Sequence, residues 1–144
     1  MADRWQVIEG WLEPDSPRVL YDVRNDAVLL AQISEASLSA GRLGLAVEHG
    51  VVGSPPWWAA LQEGRLPLMT FVGLVRRVDG GPMGDSAILR IEGEGETKSW
   101  VPWAGFQADL IGNRIEVCYV GVPPTFPPRP GFLVELILQV RATK

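Results

Sequence analysis

The chain has very few residues that carry reactive chemistry. It holds one cysteine, Cys118, and one histidine, His49, in 144 residues. A single cysteine excludes an internal disulfide and a thiolate metal cluster, and one histidine cannot complete a standard zinc site with it. The motifs G-x-S-x-G and H-E-x-x-H are also absent. The sequence therefore predicts a non-enzyme without a cofactor or metal site, although two carboxylates brought together only by folding stay an open alternative.

Positive charge is also scarce. The net charge is −4 and the isoelectric point is about 5.0. Residues 1–65 carry five basic and nine acidic residues, whereas residues 66–144 carry eight of each. No bulk positive field exists to attract phosphate groups or an anionic membrane, which disfavours nucleic acid as a partner. A basic partner would more easily bind the first half.

Long apolar runs are missing as well. No stretch of 18 consecutive apolar residues occurs, so no membrane-spanning helix is predicted. The first ten residues carry three charged side chains and lack the apolar core of a signal peptide. Arginine outnumbers lysine 11 to two, which is typical of a GC-rich coding sequence. We expect a single cytoplasmic domain over residues 1–144 from a bacterium, with its oligomeric state open.

The commonest pattern in the sequence is an alternation of apolar and polar residues with a period of two. It predicts strands at 18–24 and 42–48, a further one containing Trp5, Val7 and Trp11, and then strands at 70–78, 86–92, 97–103, 114–121 and 132–140. A short helical stretch is expected at 104–110. We predict an all-β fold with one or two short helices, as an antiparallel barrel or sandwich. The second half has the element order of an OB-type barrel, a likeness of layout alone.

Residues 26–38 fit two structures. Asp26 could cap a helix that buries Leu29, Ile33 and Ala36, whose spacing is helical. The same stretch could follow a turn at 24–27 as the second arm of a hairpin. The pattern does not separate these alternatives.

Two adjacent tryptophans stand in a predicted helix of about two turns. Ser54 is a suitable N-terminal cap and Gly64 a suitable stop. Trp57, Trp58 and Leu61 would share one sector of that helix, and so short a helix needs tertiary packing to persist. This favours a core plug. The alternative is a barrel that encloses a small apolar ligand, with Trp57 and Trp58 lining its cavity.

A second tryptophan pair lies in the segment SWVPW. In an extended chain Trp100 and Trp103 would point to opposite faces, and Pro102 indicates an edge or bulge. One indole would then be half-exposed and could bind a protein partner, since such anchors recur at interface hot spots. The alternative is a tryptophan that caps the mouth of a barrel.

Residues 121–131 contain five of the chain's 12 prolines. Such a segment favours a stiff extended helix that can dock into an aromatic groove. We select Phe126 and Arg129 as candidate partner-binding residues. The alternative is a rigid connection between two strands.

Three further residue patterns are weaker indications of function. Glu92, Glu94 and Glu96 could hold Ca²⁺ but are more typical of a solvated turn. Cys118 is expected to be a buried apolar residue. Trp100 and Phe71 could stack on single-stranded nucleic acid, with nearby arginines on the phosphate path (Arg76, Arg77, Arg90).

Taken together, the residues favour a non-catalytic module that binds a protein, either an adaptor or an inhibitor. A small-ligand barrel and a single-stranded nucleic-acid-binding domain are the alternatives.

Overall fold

The described part of the chain folds into one antiparallel sheet and two helices. The computed structural model describes residues 19–38, 50–66, 68–80, 87–123 and 133–143. The elements are β1 (Val19–Asp22), α1 (Ala27–Leu38), α2 (Pro55–Gln62), β2 (Leu68–Gly80), β3 (Ala87–Glu92), β4 (Thr97–Trp100), β5 (Arg114–Val122) and β6 (Val134–Ala142). Short 3₁₀ turns follow β1, at Val23–Asn25, and β4, at Ala108–Leu110. The strands predicted at 42–48 and around Trp5 lie outside the described residues.

The six strands form a single sheet in the order β1-β6-β5-β2-β3-β4, and each neighbouring pair is antiparallel. The prediction of an all-β fold with short helices is confirmed. The sheet is open, since β1 and β4 are not paired with each other, and of the two predicted architectures a sandwich fits better than a closed barrel. The second half has the predicted order of three strands, a short helical turn and two strands.

The long strand β2 belongs to both halves of the sheet. Its first part pairs with β5 from Leu68 to Leu74, and its second part pairs with β3 from Leu74 to Gly80. The register shifts between Val75 and Arg77, which marks a bulge. Bulges bend a strand and increase its twist. This position is therefore where the sheet turns over on itself.

Contacts between distant strands confirm that curvature. Three strands separate β4 from β6 in the sheet, yet Lys98 Nζ lies 3.0 Å from Glu135 Oε2. The rings of Trp100 on β4 and Tyr119 on β5 lie 5.3 Å apart, centroid to centroid. The two halves of the sheet therefore face each other across a shared core.

Both helices begin where local chemistry favours it. Asp26 Oδ1 accepts a hydrogen bond from the Leu29 amide at 3.2 Å, which caps α1 and confirms the helical alternative for this stretch over the hairpin. Helix α2 begins with prolines in its first turn, where their missing N–H groups cost nothing. Ser54 occupies the cap position but its hydroxyl makes no capping bond. Gly64 follows the helix with a φ of +80°.

The buried residues of the sheet and of α2 form one apolar cluster. Val75, Leu89, Ile91, Ile115 and Val117 are completely buried in the strands. Helix α2 adds its two tryptophans and Leu61 to the cluster, while α1 packs against it through Leu29, Leu30 and Ile33.

Candidate protein-binding site

A cleft of about 260 Å³ opens where three distant parts of the chain meet. The first part contributes Tyr21 from β1 and Asp26 and Leu29 from the start of α1. The second part is residues 100–104, at and after the end of β4, and the third is residues 135–137 of β6. A second cavity of about 300 Å³ shares Tyr21, Asp26 and Ala104 with the first and extends along β1. The two cavities therefore form one continuous surface, which we call the aromatic cleft.

Trp100 and Trp103 both line this cleft, and each is only 7% exposed. Strand β4 ends at Trp100, earlier than predicted, because Pro102 cannot donate to the ladder. The expected placement of the two indoles on opposite faces, with one half-exposed, is therefore wrong. Both tryptophans were selected as candidate partner-binding residues, and the structure brings them together in the lining of one cleft.

The tryptophans are held in place by other rings. Trp100 packs edge to face against Phe71, at 5.9 Å between centroids, and against Tyr119. Trp103 packs edge to face against Phe106 at 5.2 Å and lies 6.4 Å from Tyr21. Such contacts stabilise aromatic pairs beyond their buried area. The walls of the cleft are therefore rigid.

Two exposed apolar side chains, Leu20 and Val101, line the cleft, and two more, Val28 and Val134, are next in sequence to residues that line it. Val101, between the two tryptophans, is 76% exposed, and Leu20 and Val134 at neighbouring positions are 37% and 39% exposed. Val28 in the first turn of α1 is 70% exposed. Exposed apolar residues around a rigid aromatic centre are typical of protein interfaces. The sequence did not single out Val101, since a valine between two tryptophans in a strand pattern indicates burial.

Three carboxylates line the two cavities, and no lysine, arginine or histidine does so among the described residues. Asp22 is paired with Arg24 and accepts a hydrogen bond from Gln139 Nε2 at 2.9 Å. Burial alone would raise the pKa of Asp22, but the hydrogen bonds from Arg24 and Gln139 outweigh it, so that the pKa lies below its ordinary value. The charge of Asp22 is thus already compensated.

Asp26 differs from the other two carboxylates. Its Oδ2 accepts a hydrogen bond from the Tyr21 hydroxyl at 2.8 Å, and its Oδ1 serves the cap of α1. Both donors are neutral. Burial and then this hydrogen bond raise the pKa of Tyr21, which keeps its hydroxyl protonated as a donor. Among the described residues no cation pairs with Asp26, and its negative charge faces the cleft uncompensated.

The third carboxylate, Glu135, is bound by Lys98. The Lys98 ammonium also lies over the rings of Trp100 and Tyr119, at 5.5 and 5.1 Å from their centroids. Burial alone would lower the pKa of Lys98, but the bond to Glu135 outweighs it and the pKa is raised. Lys98 therefore ties β4 to β6 directly behind the cleft.

Trp57 and Trp58 lie in the core. They are 2% and 1% exposed, their rings meet edge to face at 4.9 Å, and Trp58 Nε1 donates to the Gly53 carbonyl at 3.1 Å. This placement agrees with the core-plug interpretation. Neither ring lines the aromatic cleft, and their role in ligand binding stays a prediction.

The candidate partner-binding residues Phe126 and Arg129 lie outside the described residues, as does His49. Their proposed roles stay predictions.

The nucleic-acid alternative requires aromatic and basic residues in one groove. Arg76 and Arg90 line a separate cavity of about 330 Å³ with Glu92 and Thr97. Arg90 is exposed, whereas Leu89 and Ile91 on either side of it are buried on the face that carries Trp100. The described structure therefore places these arginines and the aromatic residues on opposite faces of the sheet.

Reactive chemistry is sparse throughout the described ranges. No group of three or more histidine, cysteine, aspartate or glutamate side chains is arranged there to hold a metal ion, and Glu92 lies 3.8 Å from Arg76 instead. Cys118 is buried as predicted, and burial raises the pKa of its thiol to about 12. No helix in the described part of the chain is long and apolar enough to cross a membrane.

The described residues of the cleft offer aromatic, apolar and acidic surface for contact with a protein. A family model described as "Immunity protein RhsI2" matches residues 18–120, which is more than half of the chain and includes most of the aromatic cleft. The chain therefore belongs to the RhsI2 immunity protein family. This membership confirms the prediction of a non-catalytic interaction module of bacterial type as a general class, without naming the partner. No curated protein matches the chain.

Proposed function

We propose that this protein binds a bacterial protein toxin and inhibits it by occupying its surface. The match of residues 18–120 to an immunity protein family carries this proposal. An inhibitor of this kind needs no catalytic group of its own, which agrees with the few reactive side chains in the sequence. It needs a preformed surface, because a rigid interface loses little entropy when it binds.

We place the contact surface at the aromatic cleft. Its walls are fixed by ring packing, and the exposed side chains of Leu20 and Val101 are part of its lining. Burying exposed apolar area around a desolvated aromatic centre is the usual origin of affinity in small interfaces. Val101 is more exposed than Leu20 and is expected to be covered by the toxin.

The proposal is tested by coexpression in a bacterial host with candidate toxin domains, beginning with those encoded by genes that neighbour this one. The wild-type protein should restore growth and bind the purified toxin. The V101K variant should bind the same toxin at least tenfold more weakly, because it places a charged side chain in a desolvated contact. Its fold should be intact, since Val101 is largely exposed.

V72K is the matched control. Val72 is also an exposed valine, at 44%, and it follows Phe71, whose ring contacts Trp100, so that Val72 points to the other face of the sheet. This variant should bind as the wild type does. Failure of the protein to neutralise any of the toxins would remove the proposed function. Undiminished binding by V101K would show that the contact surface is elsewhere, and equal loss in both variants would show that the loss is not specific to the cleft.

A further inference from the structure

We infer that the aromatic cleft receives an arginine side chain of the toxin, which pairs with Asp26 and lies against the aromatic walls. This inference rests on the proposed function and specifies its chemistry. The three carboxylates in the cleft differ in their partners. Asp22 and Glu135 already have cationic partners in Arg24 and Lys98, whereas the donors to Asp26 within the described ranges are neutral.

Asp26 has the capacity to accept a guanidinium. An ionised carboxylate offers about four lone-pair positions, and the Tyr21 hydroxyl and the Leu29 amide take two of them. Those two bonds also fix the orientation of the carboxylate at the start of α1. A fixed carboxylate with free acceptor positions binds an incoming cation without first having to be ordered.

The walls of the cleft fit the rest of an arginine side chain. The part of the cleft that is lined by Asp26, Leu29 and the two tryptophans has a volume of about 260 Å³, which is large enough for one inserted side chain. Tyr21, Trp100 and Trp103 supply aromatic surface, and Leu29 and Ile137 supply apolar surface for the methylene groups. A planar guanidinium can stack on such rings while it forms paired hydrogen bonds with a carboxylate.

The charge of the molecule favours the same occupant. The net charge is −4, and the described residues that line the two cavities include carboxylates but no basic side chain. A cation entering the cleft therefore meets attraction from the whole protein and from the site. An acidic side chain would meet repulsion from both.

The test uses N-acetyl-arginine amide as the probe and the full-length ¹⁵N-labelled protein. Arginine amide should shift the indole N–H resonances of Trp100 and Trp103 and the amide resonances next to Asp26 in two-dimensional NMR spectra. N-acetyl-lysine amide should bind more weakly, because its ammonium cannot form the paired, stacked contact. The D26N variant should weaken arginine amide binding by about tenfold or more, which is the loss of one charge-assisted pair.

Asparagine also caps helices well, so D26N should keep α1 and the fold intact. The E94Q variant is the matched control, since it removes one exposed negative charge from the β3–β4 turn, outside the cleft lining. It should bind arginine amide as the wild type does. Unmoved Trp100 and Trp103 resonances, or equal affinities of the wild type and D26N, would overturn the inference. Protection against a toxin would still stand in that case, so the failure of this inference is distinguishable from failure of the proposed function.

Discussion

Asp22 shows how one buried side chain can hold the first described strand, β1, to the last one, β6. It is 7% exposed, accepts hydrogen bonds from the Arg24 side chain and backbone, and is reached by Gln139 from β6. A buried carboxylate is tolerated only when its lone pairs are used and its charge is paired. Arg24 and Gln139 meet both conditions.

Replacing Asp22 should therefore change how stability depends on pH. Because the folded-state pKa of Asp22 lies below its ordinary value, its contribution is complete above the unfolded pKa of about 3.9 and is lost as the pH falls through the folded pKa. The D22N variant should be less stable at neutral pH by roughly 2–5 kcal/mol, since it leaves Arg24 without its partner. The difference from the wild type should shrink as the solution becomes acidic. Urea denaturation over a pH series measures it.

Glu63 provides the control for that experiment. It pairs with Arg65 at the same two-residue spacing, but both side chains are more than half exposed. An exposed pair contributes about 0–1 kcal/mol. E63Q should follow the wild type at every pH, and a loss in E63Q equal to that in D22N would contradict the assigned role of burial.

At the scale of the elements, the turn of β2 decides the shape of the sheet. Gly73 lies two residues before the bulge that begins at Val75, and a Cβ atom there would be 2.7 Å from the Glu92 carbonyl oxygen and 2.7 Å from Ile91 Cγ2. The close approach of β3 to β2 thus depends on a residue without a side chain. The opposed halves of the sheet, and the cleft at their end, follow from that approach.

The G73A variant tests this role. One methyl group should force β3 away from β2 and destabilise the protein by about 1–3 kcal/mol, as overpacking does elsewhere. Thermal or urea denaturation measures the change. T70A, at an exposed position on the same strand, should have a small effect. Stability of G73A within about 0.5 kcal/mol of the wild type would show that the strands separate without cost.

The elements were predictable from sequence to the extent that local patterns determine them. The spacing of Trp57, Trp58 and Leu61 predicted the buried side of α2, and alternation located β2 to β6. Residues 26–38 fitted both a helix and a strand, and the bond from Leu29 to Asp26 distinguishes them only in three dimensions. The cleft was beyond prediction as a unit, because Tyr21, Trp103 and Ile137 meet through the pairing of β1 with β6 and the curvature of the sheet.

For the whole molecule, the distribution of charge should govern how fast the protein finds its toxin. The excess of acidic residues lies in residues 1–65, which contribute Asp22 and Asp26 to the cleft. Long-range attraction of this kind raises association rates more than it slows dissociation, and salt screens it over about 8–10 Å.

We expect the association rate with the toxin to fall by roughly tenfold or more between low and high salt, with little change in the dissociation rate. Stopped-flow measurement of tryptophan fluorescence gives both rates. The E94Q variant should show almost the same salt dependence as the wild type. An association rate that does not respond to salt would mean that the toxin surface in contact is not basic.

The pairing of β1 with β6 has a consequence for the timing of protection. β1 is among the first described segments to leave the ribosome, but its partner strand spans residues 134–142. The cleft takes Tyr21 from one and Ile137 from the other, so a nascent chain has no complete binding surface. Under the proposed function, only completed chains bind the toxin, and they must be present in the cell before the toxin arrives.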